Sequence, residues 1–485
     1  MLVSLYTVRV VLATLGAEDY GIYNVVAGVV VLFSFVNNAM ATATQRFLNY
    51  NLGKEDVEKT QQTFSASLLI HIGISIIFVI LAETIGLWFV YSKLNVPPER
   101  HNAAMWCYQF SIVTTIFNIL RVPYNAVIIA YEKMSFFAWI SIVEGFLKLF
   151  VVYLLFVSSS DKLIMYACLL SCVSLVILFS YIYYCVIKFP HIQFKKNNDK
   201  KNIYELLGFS GWSLLGATAN VANQHGTNIV FNIFTHVTVN AAMGIATQVN
   251  SAVYSFVGNF QTAFQPQLVK SYAAGEIDKL NDLIFTTAKI SFILLWTIAL
   301  PLTINLDYIL VLWLKHVPLH TSEIIHLILI YSLIDSFNNP LWMYVQATGK
   351  IKLYQICVSI IIMSLLPFSI LIFLLGGDIY DVLYTKIFLV VIVTLFRLSY
   401  LRNKQNFSSY KFFQNVIFRC LVMALFSYLV VKIFVFKFEG IILLCISCIV
   451  SVILVCLFSF CVAMTKKERK LFINFLKSKY RRNQC

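Results

Sequence analysis

The sequence predicts an all-α polytopic membrane protein of about fourteen transmembrane helices, arranged as two six-helix bundles in a parallel repeat plus a C-terminal helix pair. Three observations carry this expectation. Of 485 residues, 60% are apolar and only 12% charged, and the mean hydropathy is +0.80. A soluble domain carries about a quarter charged residues, and a disordered chain is poorer still in apolar ones. The apolar runs continue for about 20 residues or more, the length of a membrane-crossing helix. They do not alternate with a period of two, which excludes a membrane β-barrel.

Taken in order, the spans are expected near residues 1–15, 21–43, 64–90, 103–130, 136–157, 163–187, 207–234, 240–265, 284–304, 323–346, 354–375, 380–401, 415–436 and 440–464. The first is short and already contains Arg9, so the chain is expected to start inside its first helix. Lys and Arg sort by the parity of the connections, about 24 on one side against about five on the other, which places both termini in the cytoplasm. Five segments follow: a first bundle at 1–187, a basic cytoplasmic linker at 188–206, a second bundle at 207–401, two further spans at 402–464 and a basic tail at 465–485.

The net charge of +15 would suggest nucleic acid in a soluble domain. Here the cations fill short loops and the tail, so their expected partner is anionic lipid headgroups, and no nucleic-acid partner is expected. Most of the eleven cysteines lie in apolar segments and read as small hydrophobes, not as a disulfide framework.

Two connections, Gln45 to Gln62 and Pro266 to Asp282, are long and mixed in charge and read as amphipathic interfacial helices. Their likeness points to a repeat. A shift of 222 residues places Asn37 on Asn259, Gln45 on Gln267 and Gly53 on Gly275, and a shift of 217 places Pro123, Ala130 and Lys133 on Pro340, Ala347 and Lys350. Each half contains an even number of spans, so both enter the membrane in the same sense.

Several chemistries lack their residues. Gly53-Lys54 and Gly349-Lys350 have neither the upstream glycine nor the hydroxyl residue of a phosphate-binding P-loop. The Asp378/Asp381 pair reads as a helix cap, and Pro318 interrupts the spacing of His316 and His320 that a metal site on a helix would need. No cofactor, metal site or catalytic set is expected, and the chain reads as a transporter without an ATPase motif.

Charges inside spans cost about 2.5–3.5 kcal/mol each on insertion scales, so those present usually face a cavity or a partner. They are Arg9, Arg121, Glu144, Lys148, Lys289, Asp335, Lys386 and Arg397. Glu144 and Lys148 stand four apart and can neutralise each other on one helix face. Arg9 and Arg121 have no acidic neighbour in their own helices, and Arg46 sits at the end of its span. A second constellation is polar: Asn37, Asn38, Gln45, Asn220, Asn223, Gln224, Asn228, Gln248, Asn250, Asn259, Gln261 and Gln265 lie on spans two, seven and eight. Asn220, Gln224 and Asn228, spaced by four, share a helix side. A hydrated lumen accounts for so many amides better than interhelical hydrogen bonding alone.

The string Gly16-Ala17-Glu18-Asp19-Tyr20-Gly21, the span ending Ala43-Thr44-Gln45-Arg46-Phe47 and the following Gly53-Lys54 segment resemble the polysaccharide and O-antigen flippases of the multidrug/oligosaccharidyl-lipid/polysaccharide exporter (MOP) superfamily. The resemblance runs over essentially the whole chain, although members of the family generally carry more residues before this start. It implies a multi-pass protein of the bacterial cytoplasmic (inner) membrane that exports a polyprenyl-pyrophosphate-linked oligosaccharide, a precursor of O-antigen, capsule or exopolysaccharide, by alternating access. The implied partners are that lipid-linked substrate, membrane lipids and other glycan-assembly membrane proteins. The implied energy source is H⁺, Na⁺ or the membrane potential. Arg9, Arg46, Arg121 and Lys148 would then compensate the pyrophosphate, and the amides together with Asp335 would line the path of the glycan.

Three other readings stand beside this one, among them a polymerase or ligase, which the short outer connections disfavour. A cation-coupled multidrug antiporter of the same superfamily wants an acidic lumen, and the spans hold more cations than acids. A non-transporting scaffold for a glycan-synthesis complex has no sequence feature of its own.

Overall fold

A computed structural model describes residues 10–11, 14–16, 19, 22–23, 34–93, 97–157, 161–195, 200–235, 237–314, 317–405, 407–435, 440–465 and 468–469. Arg9 and most of the basic tail lie outside the described residues. Within them every regular element is helical. The α-helices are α1 (Ser34–Gly53), α2 (Val57–Leu81), α3 (Leu87–Lys93), α4 (His101–Ala130), α5 (Met134–Val157), α6 (Lys162–Lys188), α7 (Lys200–Phe234), α8 (Val237–Ala273) and α9 (Ile277–Ile304). They continue with α10 (Leu306–Leu314), α11 (Thr321–Asp335), α12 (Asn338–Thr348), α13 (Lys352–Met363), α14 (Leu365–Leu374), α15 (Ile379–Gln405), α16 (Ser409–Phe412), α17 (Arg419–Val435) and α18 (Gly440–Phe458).

Among the described residues, ten helices, some of them joined pairs, are long and apolar enough to cross a membrane. The amide-bearing α1, α7 and α8 are not among these ten. The apolar face of α5 exposes Trp139, Phe146 and Phe150, a surface suited to lipid and not to water.

The chain divides into two compact units, residues 1–218 with 272–274, and 219–271 with 275–485. The division falls inside α7 and not in the 188–206 linker, because α7 is a continuous helix whose first part packs in the first unit, where Phe209 meets Phe47 edge to face at 5.9 Å. In the first unit α4 is central, packing against α1, α2 and α6. In the second, α15 packs against α11, α13 and α14, and α9 against α12, α17 and α18.

The ends of the helices follow from their sequences. Asp56 caps α2 by accepting from the Lys59 N–H at 3.0 Å, and Asp161 caps α6 by accepting from the Leu163 and Ile164 N–H groups. The interfacial helices expected at Gln45–Gln62 and Pro266–Asp282 do not form. α1 and α8 run on through these segments, turn within a few residues and enter α2 and α9 directly. The turning residues are Glu55 (φ 57°) and Gly275 (φ 77°), both left-handed. They lie 220 residues apart, not 222, so Gln45 corresponds to Gln265 instead of Gln267. Gln45 and Gln265 are each 9% exposed. The second pair of turns, at Glu132 (φ 57°) and Gly349 (φ 74°), keeps the shift of 217.

Candidate functional site

The second unit contains a half-open cavity of about 480 Å³, within the range of small-molecule sites. Asn220, Asn223 and Gln224 of α7 form one wall. On α8 the lining residues Thr247, Asn250, Ser251, Tyr254, Ser255, Gly258 and Asn259 recur at intervals of about one turn, the spacing of one helix side. Ile328 and Tyr331 of α11 and Lys386 of α15 complete the lining. Lys386 is the one charged residue among them.

Hydrogen bonds hold these walls. Ser332 donates to the Asn250 carboxamide oxygen at 2.6 Å, and Asn223 donates to the Ile362 carbonyl at 2.6 Å, fixing α7 against the end of α13. The Lys386 ammonium lies 4.8 Å from the centre of the Tyr331 ring, a cation–π contact. Asp335 stands behind the wall, where it accepts a long 3.5 Å hydrogen bond from the Tyr254 hydroxyl and one of 3.2 Å from the Asn338 carboxamide. Arg397 of α15 donates to the Asn338 backbone carbonyl.

Of the amides expected in a lumen, Asn220, Asn223, Gln224, Asn250 and Asn259 line this cavity. Asn228 and Gln248 do not. Two turns beyond Asn220, Asn228 has rotated away by about 80° at 100° per residue, and Gln248 is exposed on α8 beside the lining face. Tyr254 and Tyr331 carry no sequence signal for a site, because aromatic residues are abundant in every span.

The remaining candidates lie in the first unit. Asn37 is half-buried on α1, and its carboxamide oxygen has no hydrogen-bond partner. Arg46 is 7% exposed, with its guanidinium 4.6 Å from the Phe47 ring centre, 4.8 Å from that of Tyr50 and 5.7 Å from that of Phe209. Arg121 does have an acidic partner, but on the next helix: its Nη1 lies 3.1 Å from Glu144, whose other oxygen takes Lys148 at 2.7 Å. One carboxylate thus serves both cations and leaves the trio with a net positive charge.

Comparison with known proteins supplies a fold. No protein-family model matches the sequence, and no curated protein matches it. Among solved structures, the outward-facing conformation of a multidrug resistance MATE family transporter of the MOP superfamily superposes with a TM-score of 0.70 at 13% identity, over 83% of this chain and 91% of that one. The MATE transporter ClbM in complex with Rb⁺ gives 0.68 at 14% identity, over 83% and 92%. A MOP superfamily transporter from Pyrococcus furiosus, described as having a binding pocket of reverse polarity that suggests a different function, gives 0.65 at 13% identity, over 85% and 94%. The chain has the fold of the MATE transporters of the MOP superfamily, a multi-pass helical membrane fold.

Proposed function

We propose that this protein is a transporter that moves a polar, anionic, lipid-linked cargo across the cytoplasmic membrane by alternating access, with a polyprenyl-pyrophosphate oligosaccharide as the cargo class. The observation that carries this reading is the lining of the cavity in the second unit: amides and hydroxyls with Lys386 as their one charge. Hydroxyl and carboxamide groups hydrogen-bond sugar in place of water, and a lysine in a low-dielectric wall attracts a phosphate. In the first unit the Arg121, Glu144 and Lys148 trio also carries a net positive charge, which suits an anionic cargo. Outward movement of an anion down a potential negative inside is favourable by about 2.3 kcal/mol per charge per 100 mV, so no nucleotide is needed.

A second reading, a cation-coupled multidrug antiporter, is favoured by the fold neighbours, one a multidrug resistance transporter and one holding Rb⁺. It would place a cationic drug against a lysine-bearing wall, with the Asp335 carboxylate set back behind Tyr254.

The two readings separate on Lys386→Gln in a host lacking its own exporter. The glycan reading expects loss of surface glycan at unchanged protein level, rescue by Lys386→Arg, and no change in ethidium efflux. Ethidium efflux by the wild type that persists or rises in Lys386→Gln, with surface glycan unaffected, would establish the antiporter instead.

A further inference from the structure

The carboxylate behind the cavity stands where one long helix is interrupted by a two-residue turn whose backbone stays right-handed. α11 ends at Asp335 and α12 begins at Asn338, with Ser336 and Phe337 between them. At the break, the Ser336 carbonyl accepts from the Gln261 carboxamide at 3.4 Å, while Asp335 accepts from Asn338 and Tyr254. The Asn338 side chain is 1% exposed and its carboxamide oxygen has no partner. A buried carboxylate, an unpartnered amide oxygen and backbone carbonyls at an interrupted helix make a set of oxygens suited to a cation.

A cation is already there, and it belongs to the protein. Arg397, on the helix packed against both α11 and α12, reaches the break and donates to the Asn338 carbonyl. Arg397 and Asp335 are both held at Asn338, one through its backbone carbonyl and the other through its carboxamide, and Lys386 sits over Tyr331, which lies one turn before Asp335 on α11. Its Nε–H is buried without a partner, so the guanidinium keeps a donor in reserve within the same network. One carboxylate thus shares this stretch of α11 and α15 with two fixed positive charges. A free cation entering this place would meet net repulsion, strong where water is scarce.

We propose that Arg397 is a tethered cation that occupies the place a coupling ion would take at the α11–α12 break. Asp335 is then balanced internally, and the second unit needs no Na⁺ there. This goes beyond the cargo assignment and is independent of which cargo is carried. Arg397 is a positioning residue, holding the broken helix through the Asn338 carbonyl.

The test uses the full chain in detergent, with thermal unfolding followed in NaCl and in choline chloride at equal ionic strength. Wild type and Arg397→Lys should melt at the same temperature in both salts. Arg397→Gln should melt higher in NaCl than in choline chloride, because the vacated oxygens now bind the ion. A Na⁺-specific upward shift in the wild type, or none in folded Arg397→Gln, overturns the proposal. Should Arg397→Gln fail to fold, the double variant Asp335→Asn/Arg397→Gln decides. Recovery toward the wild-type melting temperature supports mutual balancing, and losses that add, or a double variant that also fails to fold, refute it.

Discussion

Glu144 is one carboxylate shared between a cation on its own helix and a cation on α4. The two partners are not equivalent to a mutation. Arg121→Ala leaves a neutral Glu144–Lys148 pair, so the protein should keep its level in the membrane while surface glycan falls with the lost charge. Glu144→Gln instead leaves the half-buried Arg121 and the more exposed Lys148 without their counter-charge, and we expect about 1–3 kcal/mol of destabilisation and a lower protein level. Immunoblotting of membranes beside a surface-glycan stain reads both effects. Equal protein levels for the two variants would mean that the trio does not brace the unit. The sequence made part of this legible. Spacing by four exposes the Glu144–Lys148 pair, but the Arg121 partner is 23 residues away on a neighbouring helix, which no local period reveals. For the same reason Lys386 is recognisable as a charge inside a span, whereas its seat over Tyr331 depends on how α15 packs against α11.

At the scale of elements, the departures from regular helix are the least legible features. Between α2 and α3 the helix widens to a π-turn at Ala82–Gly86, where the Tyr108 hydroxyl donates to the Ala82 carbonyl at 2.7 Å. Nothing in the local sequence announces it. Gly86 leaves the space that the Tyr108 hydroxyl fills, and only the tertiary partner gives that glycine its meaning. The last described residues supply a second case. Lys289 on α9 is 3% exposed and meets both carboxylate oxygens of Glu468, at 2.8 and 2.7 Å, beyond the end of the last span. Burial alone would raise the Glu468 carboxyl, but its hydrogen bonds to Lys289 and Thr465 hold it below the usual range. A depressed carboxylate stabilises the folded state above its unfolded pKa and loses that contribution as pH falls through the folded value. The wild type should therefore lose melting temperature on acidification from about pH 5 downward, and Glu468→Gln should start lower by about 3 kcal/mol and lose less. Melting curves between neutral and acid pH for the two proteins check this, and parallel losses would separate the anchor from the pH response.

For the whole molecule, composition points to the helical membrane class, and charge parity predicts an orientation that can be tested directly. The repeat is visible in the sequence only approximately, because identities at Gln and Gly compete within apolar text. The left-handed turn residues place the first hairpin at a shift of 220 and leave the second at 217. The amide-rich α1, α7 and α8 fall short in hydropathy because amides are polar, and that same polarity builds the cavity wall from α7 and α8. If the cargo leaves the cytoplasm down the membrane potential, the basic connections must face inward, since cytoplasmic loops retain Lys and Arg during insertion. In a variant freed of its native cysteines, single cysteines at Asn95 and Lys315 should react with a membrane-impermeant maleimide added to intact cells. Cysteines at Lys195 and Lys201 should react only after the membrane is opened. Labelling of Lys195 and Lys201 positions from outside would invert the topology. It would then set Lys386 and the Arg121 trio to attract cargo moving inward, and the export reading would fall with the orientation.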